Sequence, residues 1–241
     1  MVTGAASGIG RATALAFAEA GAAVFLVDRD PAGEAVRDAI VATGRRAAFQ
    51  ATDVSDEAQC RSAVEAAIGT FGRLDAAFNN AGVFGPFGLL ADIDHSAWRK
   101  VLAVNLDGVI HCTAAQMRAM AVGGGAIVNN ASVMGLVGSA GAAVYTASKH
   151  GVVGLTRAAA MEGGRPHIRV NAVCPGFVRT PMTDAEATGP GPAIDAAIKK
   201  TALRRVGEPE EIAGAVLWLC SSAAAYVTGA VLAVDGGFTA N

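Results

Sequence analysis

Short apolar runs alternate with helix-forming stretches along nearly the whole chain, at a spacing of about 25 residues, and this alternation restricts the fold most. Residues 23–28 (AVFLVD), 46–51, 74–78, 126–130, 168–173 and 231–234 read as strands, the apolar ones buried on both faces. Residues 1–3 supply a first strand that is unusually short for a central position. Between the strands lie helical stretches. The first ends at Gly21. The second (31–43) stops at Gly44, and a third runs from Ser55 or Asp56 to residue 71, before Gly72. A long helical zone covers 96–120 with Asn105 inside it, and further helices cover 145–161 and 209–219. The pattern predicts an α/β fold: a doubly wound, mostly parallel seven-stranded sheet with helices on both faces. No linker, repeat or low-complexity tract divides residues 1–241, so one domain is expected. Residues 83–94 read as loop. Residues 180–201 read as a Pro/Gly-interrupted segment with Ala-rich helical pieces, and 181–201 as a substrate loop that could close as a lid.

Composition narrows the function. Charged residues are 17% of the chain and the net charge is −2, which gives no electrostatic case for nucleic acid or an anionic membrane. Cys60, Cys112, Cys174 and Cys220 are far apart with no CxxC pair, so neither a zinc site nor a disulfide framework is expected. Free thiols in a reducing cytosol fit that spacing. No basic segment precedes an apolar core at the N-terminus, and the apolar stretch 126–144 is broken by Asn129, Asn130 and Ser132, so neither a signal peptide nor a membrane span is expected. The Asn130-Ala131-Ser132 triplet matches a glycosylation acceptor only by accident in such a chain.

Two motifs carry chemistry. Gly4, Gly8 and Gly10 sit between the first strand and the first helix, where glycines permit a tight turn and close approach of main chain to a pyrophosphate. The helix N-terminus would add N–H groups and positive dipole. Asp28 closes the second strand, near the separation at which an acidic residue in a dinucleotide fold accepts hydrogen bonds from the adenosine ribose. A carboxylate there repels a 2′-phosphate and favours NAD over NADP, with Arg29 as a partial offset. Asp28 could instead cap the helix that follows. In the second motif, Tyr145 and Lys149 stand one helical turn apart, so both side chains project from one face. A neighbouring ammonium favours the phenolate, and three units of depression need only about 4 kcal/mol. The product is a general base near neutral pH. Ser132 arrives at the C-terminal end of the fifth strand, the side where open α/β sheets bind ligands.

In these ordered motifs the chain resembles the short-chain dehydrogenase/reductase family over essentially its whole length. Thr3-Gly4 to Gly8-Ile9-Gly10 is similar to the family's TGxxxGIG turn, Asn79 to Gly82 to its NNAG, and Asn171 to Gly176 with Thr180 to the segment beside the nicotinamide. Asn105, Ser132, Tyr145 and Lys149 fall where its catalytic tetrad falls. The resemblance implies that Tyr145 exchanges the proton of a secondary alcohol while hydride passes to nicotinamide. Lys149 would acidify Tyr145 and hold the nicotinamide ribose, Ser132 would hold the substrate oxygen, and Asn105 would position a relay water. Gly4, Ser7, Gly8, Ile9 and Gly10 would cradle the pyrophosphate and neighbouring ribose. Asp53 and Val54 would flank adenine, Asn80, Ala81 and Gly82 would line the adenosine side, and Pro175, Gly176, Val178 and Thr180 would border the carboxamide. No metal is implied. A homotetramer and a cytoplasmic location are.

The leading expectation is an NAD-dependent dehydrogenase or ketone reductase acting on a small secondary alcohol. An NADPH-linked 3-oxoacyl-carrier-protein reductase shares these motifs, but Asp28 argues against it, as does the absence of a basic cluster in residues 122–126. A non-catalytic dinucleotide-binding protein would be favoured by loss of Tyr145 or Lys149, and both are present. His111 with Cys112, His95, Trp98 and His150 read as packing or surface residues. The substrate pocket is expected from 83–94, 133–143 and 181–201, with Phe84, Phe87, Val133, Met134, Leu136 and Val137 making it mainly apolar.

Overall fold

Seven strands, β1 (Val2–Thr3), β2 (Val24–Asp28), β3 (Ala47–Ala51), β4 (Ala76–Asn79), β5 (Gly125–Asn130), β6 (Ile168–Pro175) and β7 (Val231–Val234), pair in parallel. Their order is β3-β2-β1-β4-β5-β6-β7. The computed structural model describes residues 1–186 and 198–240; residues 187–197 of the lid expected over 181–201 lie outside them. Order reverses beside β1, and the crevice there is where open α/β sheets take ligands.

The central strand has only two residues, and its flanks extend its pairing. The Met1 amino group donates to the Ala76 carbonyl, the Phe78 amide to Met1, and the Ala5 amide to Val27. Val2 and Thr3 are fully or almost fully buried.

Helices α1 (Gly8–Glu19) and α2 (Gly33–Ala42), with α8 (Pro209–Cys220), cover one face of the sheet. Helices α3 (Glu57–Phe71), α5 (Gly108–Met120) and α6 (Ala143–Glu162) cover the other. Alternation along each strand supplies both layers. Leu26, Phe78 and Val128 point to the first face with Ile212, Val216 and Leu219, while Phe25, Val27, Ala77 and Ile127 point to the second. Each large apolar side chain so buried contributes about 1.5–3 kcal/mol.

The long helix expected over 96–120 is three pieces. Helix α4 (His95–Leu102) passes into a π-helical turn, Ala103–Asp107, before α5 begins. Such one-turn widenings collect at functional positions, and this one contains Asn105. Helix α2 starts later than its proline suggests, after a turn through Asp30 and Ala32. A short helix, α7 (Pro181–Glu186), follows β6. No helix among the described residues is long and apolar enough to cross a membrane, and no cluster there could hold a metal.

Candidate active site

Above the C-terminal ends of the strands lies a cavity of about 900 Å³, and all but two of the residues assigned from the sequence to catalysis or cofactor binding line it. The exceptions are Gly10 and Asn105, which shape the cavity from behind.

Gly10 packs the start of α1 against the turn before it. A Cβ there would come within 2.0 Å of the Gly4 carbonyl oxygen. The turn itself is braced by the Asn79–Gly82 segment. Asn80 donates through its side chain to the carbonyls of Thr3 and Gly4, and the Thr3 hydroxyl accepts from the amides of Asn80 and Ala81. Helices α3 and α4 are capped by the carboxylates of Asp56 and Asp94, and α8 by a reciprocal Glu208–Glu211 box. Ser7, at the same position on α1, makes no such bond, and the first turn of α1 carries no acid. Ser7, Gly8 and Ile9 all line the cavity. The first N–H groups and the positive dipole end of α1 therefore suit a phosphate-bearing ligand.

At one end of the cavity Asp28 accepts hydrogen bonds from the amides of Ala6 and Asp30, one on each carboxylate oxygen. It does not cap α2. Each oxygen keeps a further acceptor position beside the glycine turn. Arg29, Asp53 and Val54 lie at this end as well. Hydrogen bonds from the Ser55 hydroxyl and amide hold the Asp53 carboxyl below its ordinary range.

The opposite end gathers the catalytic candidates. Lys149 is buried, and its ammonium donates to the Asn130 carbonyl at 2.7 Å. Burial pushes its pKa down to about 8. The ammonium stands 5.6 Å from the centre of the Tyr145 ring. Burial makes that charge harder to keep, and the same low dielectric strengthens its field at the phenol. The Ser132 Oγ accepts from the Met134 amide, which turns its hydroxyl proton outward as a donor. Gly135 lets the turn carrying Ser132 lie directly on α6, since a Cβ there would meet the Lys149 carbonyl oxygen at 2.8 Å.

Two placements differ from the expectation. The side chain of Asn105 is committed to protein: its Oδ1 accepts from the Val83 amide, and its Nδ2 donates to the Val83 carbonyl and the Ser148 hydroxyl. It is fully buried and clamps the Val83 turn. Leu136 packs into the cluster of Val109, Val152 and Cys174, and Val137 is exposed; neither joins Phe84, Phe87, Val133 and Met134 around the cavity. Cys60 and Cys112, remote in sequence, are free thiols as expected and meet at 3.6 Å between sulfurs beside Val54. His95 and Trp98 bond to each other on the α4 surface, and the side chain of His150 reaches back to the Thr146 carbonyl.

The sequence reading overlooked Phe84 as a partner of Tyr145. The two rings lie 4.6 Å apart, centre to centre, at 30°. It also overlooked Ser148, which links Asn105 to the Tyr145 carbonyl. Ser148 lies within the Tyr/Lys motif itself, but nothing in its spacing from Asn105 announces a contact.

Comparison with known proteins finds relatives over nearly the whole chain. A family model described as Enoyl-(Acyl carrier protein) reductase fits residues 4–239. The chain is 44% identical over 241 residues to a cis-4-hydroxycyclohexanecarboxylate dehydrogenase of Sinomonas cyclohexanicum, covering 100% of this chain and 96% of that one. It is 41% identical over 245 residues to a cyclohexanol dehydrogenase of Acinetobacter sp. (strain SE19), covering 99% and 94%. The crystal structure of levodione reductase superposes with a TM-score of 0.95 at 40% identity, over 99% of this chain and 96% of that one.

Proposed function

The chain belongs to the short-chain dehydrogenase/reductase family, and we propose that it interconverts a small cyclic secondary alcohol and its ketone with NAD(H). One observation carries the reading: a single cavity has Tyr145, Ser132 and Lys149 at one end and Asp28 at the other, with the uncapped start of α1 between them. The ring-bearing substrates named for the relatives supply the substrate class.

Bound nicotinamide supplies the hydride acceptor for alcohol oxidation and the donor for the reverse. The residues do the rest. Ser132 donates to the substrate oxygen and fixes its place. Tyr145 as phenolate removes the hydroxyl proton in oxidation and returns it in reduction. Lys149 keeps the phenolate favourable through its charge and also meets the nicotinamide ribose. Asn105 serves as a positioning residue that holds the Val83 turn against α6. Asp28 binds the adenosine ribose hydroxyls and repels a 2′-phosphate, which also weighs against the NADPH-linked acyl-carrier reading.

The test is cofactor reduction scanned over cyclohexanols, cyclic diols and open-chain secondary alcohols, with NAD and with NADP. NAD should give a kcat/KM higher by about tenfold or more, a difference of about 1.4 kcal/mol. A preference for NADP would overturn the cofactor assignment. Tyr145→Phe should abolish turnover and leave NADH binding measurable by fluorescence; undiminished turnover would remove Tyr145 from the mechanism. A homotetramer belongs to the same proposal, with the exposed Trp218 and Tyr226 as apolar surface for a subunit contact. Sedimentation as a monomer at micromolar concentration would contradict it.

A further inference from the structure

The distribution of charge around the cavity is one-sided. Its charged lining residues are Asp28, Arg29, Asp30, Asp53 and Lys149. The first three follow one another at the end of β2, and Asp53 follows β3, at the opposite edge of the crevice from Tyr145. Apart from Lys149 the rest of the lining is apolar or uncharged, with Phe84, Phe87, Val133, Met134 and Met182 as its large apolar side chains and the hydroxyls of Ser132, Ser139, Thr180 and Thr183 among its polar groups. Among the described residues the only cation there is Lys149, already bonded to the Asn130 carbonyl and 5.6 Å from the centre of the Tyr145 ring.

An aromatic floor completes this end. Phe84 lies against the Tyr145 ring. Its loop is tied to the loop before α6 by the Gly88 amide donating to the Gly141 carbonyl at 2.9 Å, and the Phe87 ring lies over Gly141. A ring carrying the reacting carbon would sit on apolar surface on the side away from the nicotinamide. An anionic substituent on that ring would lose water and meet no free cation among the described residues, a cost that apolar walls cannot return.

Resting on the proposed alcohol–ketone reading, we infer that this enzyme selects a neutral alicyclic alcohol or ketone and rejects the same ring bearing a carboxylate, with Phe84 and Phe87 as its specificity-determining residues. The apolar walls set the preference, and Phe87, largely exposed at the mouth, is the position from which a cation could reverse it.

The experiment compares kcat/KM for cyclohexanol and for its cis-4-carboxylate, using the full chain with saturating NAD. The neutral alcohol should be favoured by about 100-fold or more, and Phe87→Arg should raise the carboxylate's relative kcat/KM by about tenfold, mainly through KM. Phe84→Leu should lower kcat/KM for cyclohexanol more than for 2-propanol, which is too small to use the aromatic floor. Equal use of the two ring substrates by the unaltered enzyme, or a Phe87→Arg variant with an unchanged ratio, would overturn the inference and leave the dehydrogenase reading intact. Failure to reduce NAD with any secondary alcohol would remove both.

Discussion

The two faces of the sheet are built from the same strands but on different terms. Beneath α1, α2 and α8 the contact layer is mostly apolar: Leu26, Phe78, Val128 and Val173 pack in one cluster with Ile40, Ile212, Val216 and Leu219. Beneath α3, α5 and α6 the layer is apolar near the N-terminal ends of the strands and becomes polar towards the cavity. There Asn79 bonds to Gln116, Thr113 and Asn129, Gln116 returns a bond to Asn79, and Asn129 donates to Thr156. All five side chains are buried. One step further towards the cavity, Lys149 holds the Asn130 carbonyl. The apolar face can slide or repack at modest cost. The polar face has few arrangements that satisfy every amide, so it fixes where α5 and α6 sit relative to β5. Ser132, Tyr145 and Lys149 all depend on that second interface.

The largest effect expected from this difference is on the apolar side. Phe78→Ala should cost about 3–5 kcal/mol in urea unfolding, because a large cavity opens where no polar partner can compensate. At lower denaturant, where the variant is still folded, KM and kcat should hold close to their original values. A variant that loses kcat while fully folded would break the division of labour between the faces.

Asn79→Ala should cost about 2–3 kcal/mol, since Gln116 loses both of its bonds to Asn79 and the Asn129 Oδ1 keeps only the longer bond from Thr113. Unlike Phe78→Ala, it should also lower kcat in the folded enzyme, through loss of the fixed α5–β5 spacing. Replacing Asn79 and Gln116 together by leucine should recover most of the stability without recovering kcat. If stability and kcat return together, the network is packing and nothing more.

The smallest effect has the opposite sign. Lys149 is depressed to about 8 by burial, against an unfolded value of about 10.4. Below pH 8 both states are protonated and the fold bears the whole cost of the buried charge, on the order of 3 kcal/mol. Between about pH 8 and 10.4 the folded state sheds its proton first, so the cost is progressively relieved. Lys149→Met removes the charge but leaves the Asn130 carbonyl without its donor, about 1 kcal/mol. The variant should therefore be about 2 kcal/mol more stable than the parent at pH 7, with the gain disappearing above pH 10, and should be inactive. A variant less stable at pH 7 would mean that the ammonium is a net support of the polar face.

Much of the architecture was legible because it repeats. The continuous apolar run 23–28 and the glycine stops at Gly21, Gly44 and Gly72 reflect local chemistry that each segment carries by itself. The π-helical turn at Asn105 escaped because the apolar spacing of 96–120 continues through it. What widens the helix there is a tertiary demand, the clamp on Val83. Leu136 and Val137 were misplaced for a related reason: an apolar residue in a loop has no periodicity to say which cluster it will join.

What the linear order of residues determined by itself was the alternating α/β plan, the glycine turn, the acid that ends β2 and the spacing of Tyr145 and Lys149 across one helical turn. These depend on interactions between near neighbours or on the burial pattern of single strands. Only the folded chain decided that Asn105 would be spent on Val83, that Phe84 would lie against Tyr145, and that Lys149 would be buried deeply enough to lower its pKa. Each of those joins residues distant in sequence, and burial and contact at such distances exist only once the two layers have closed on the sheet.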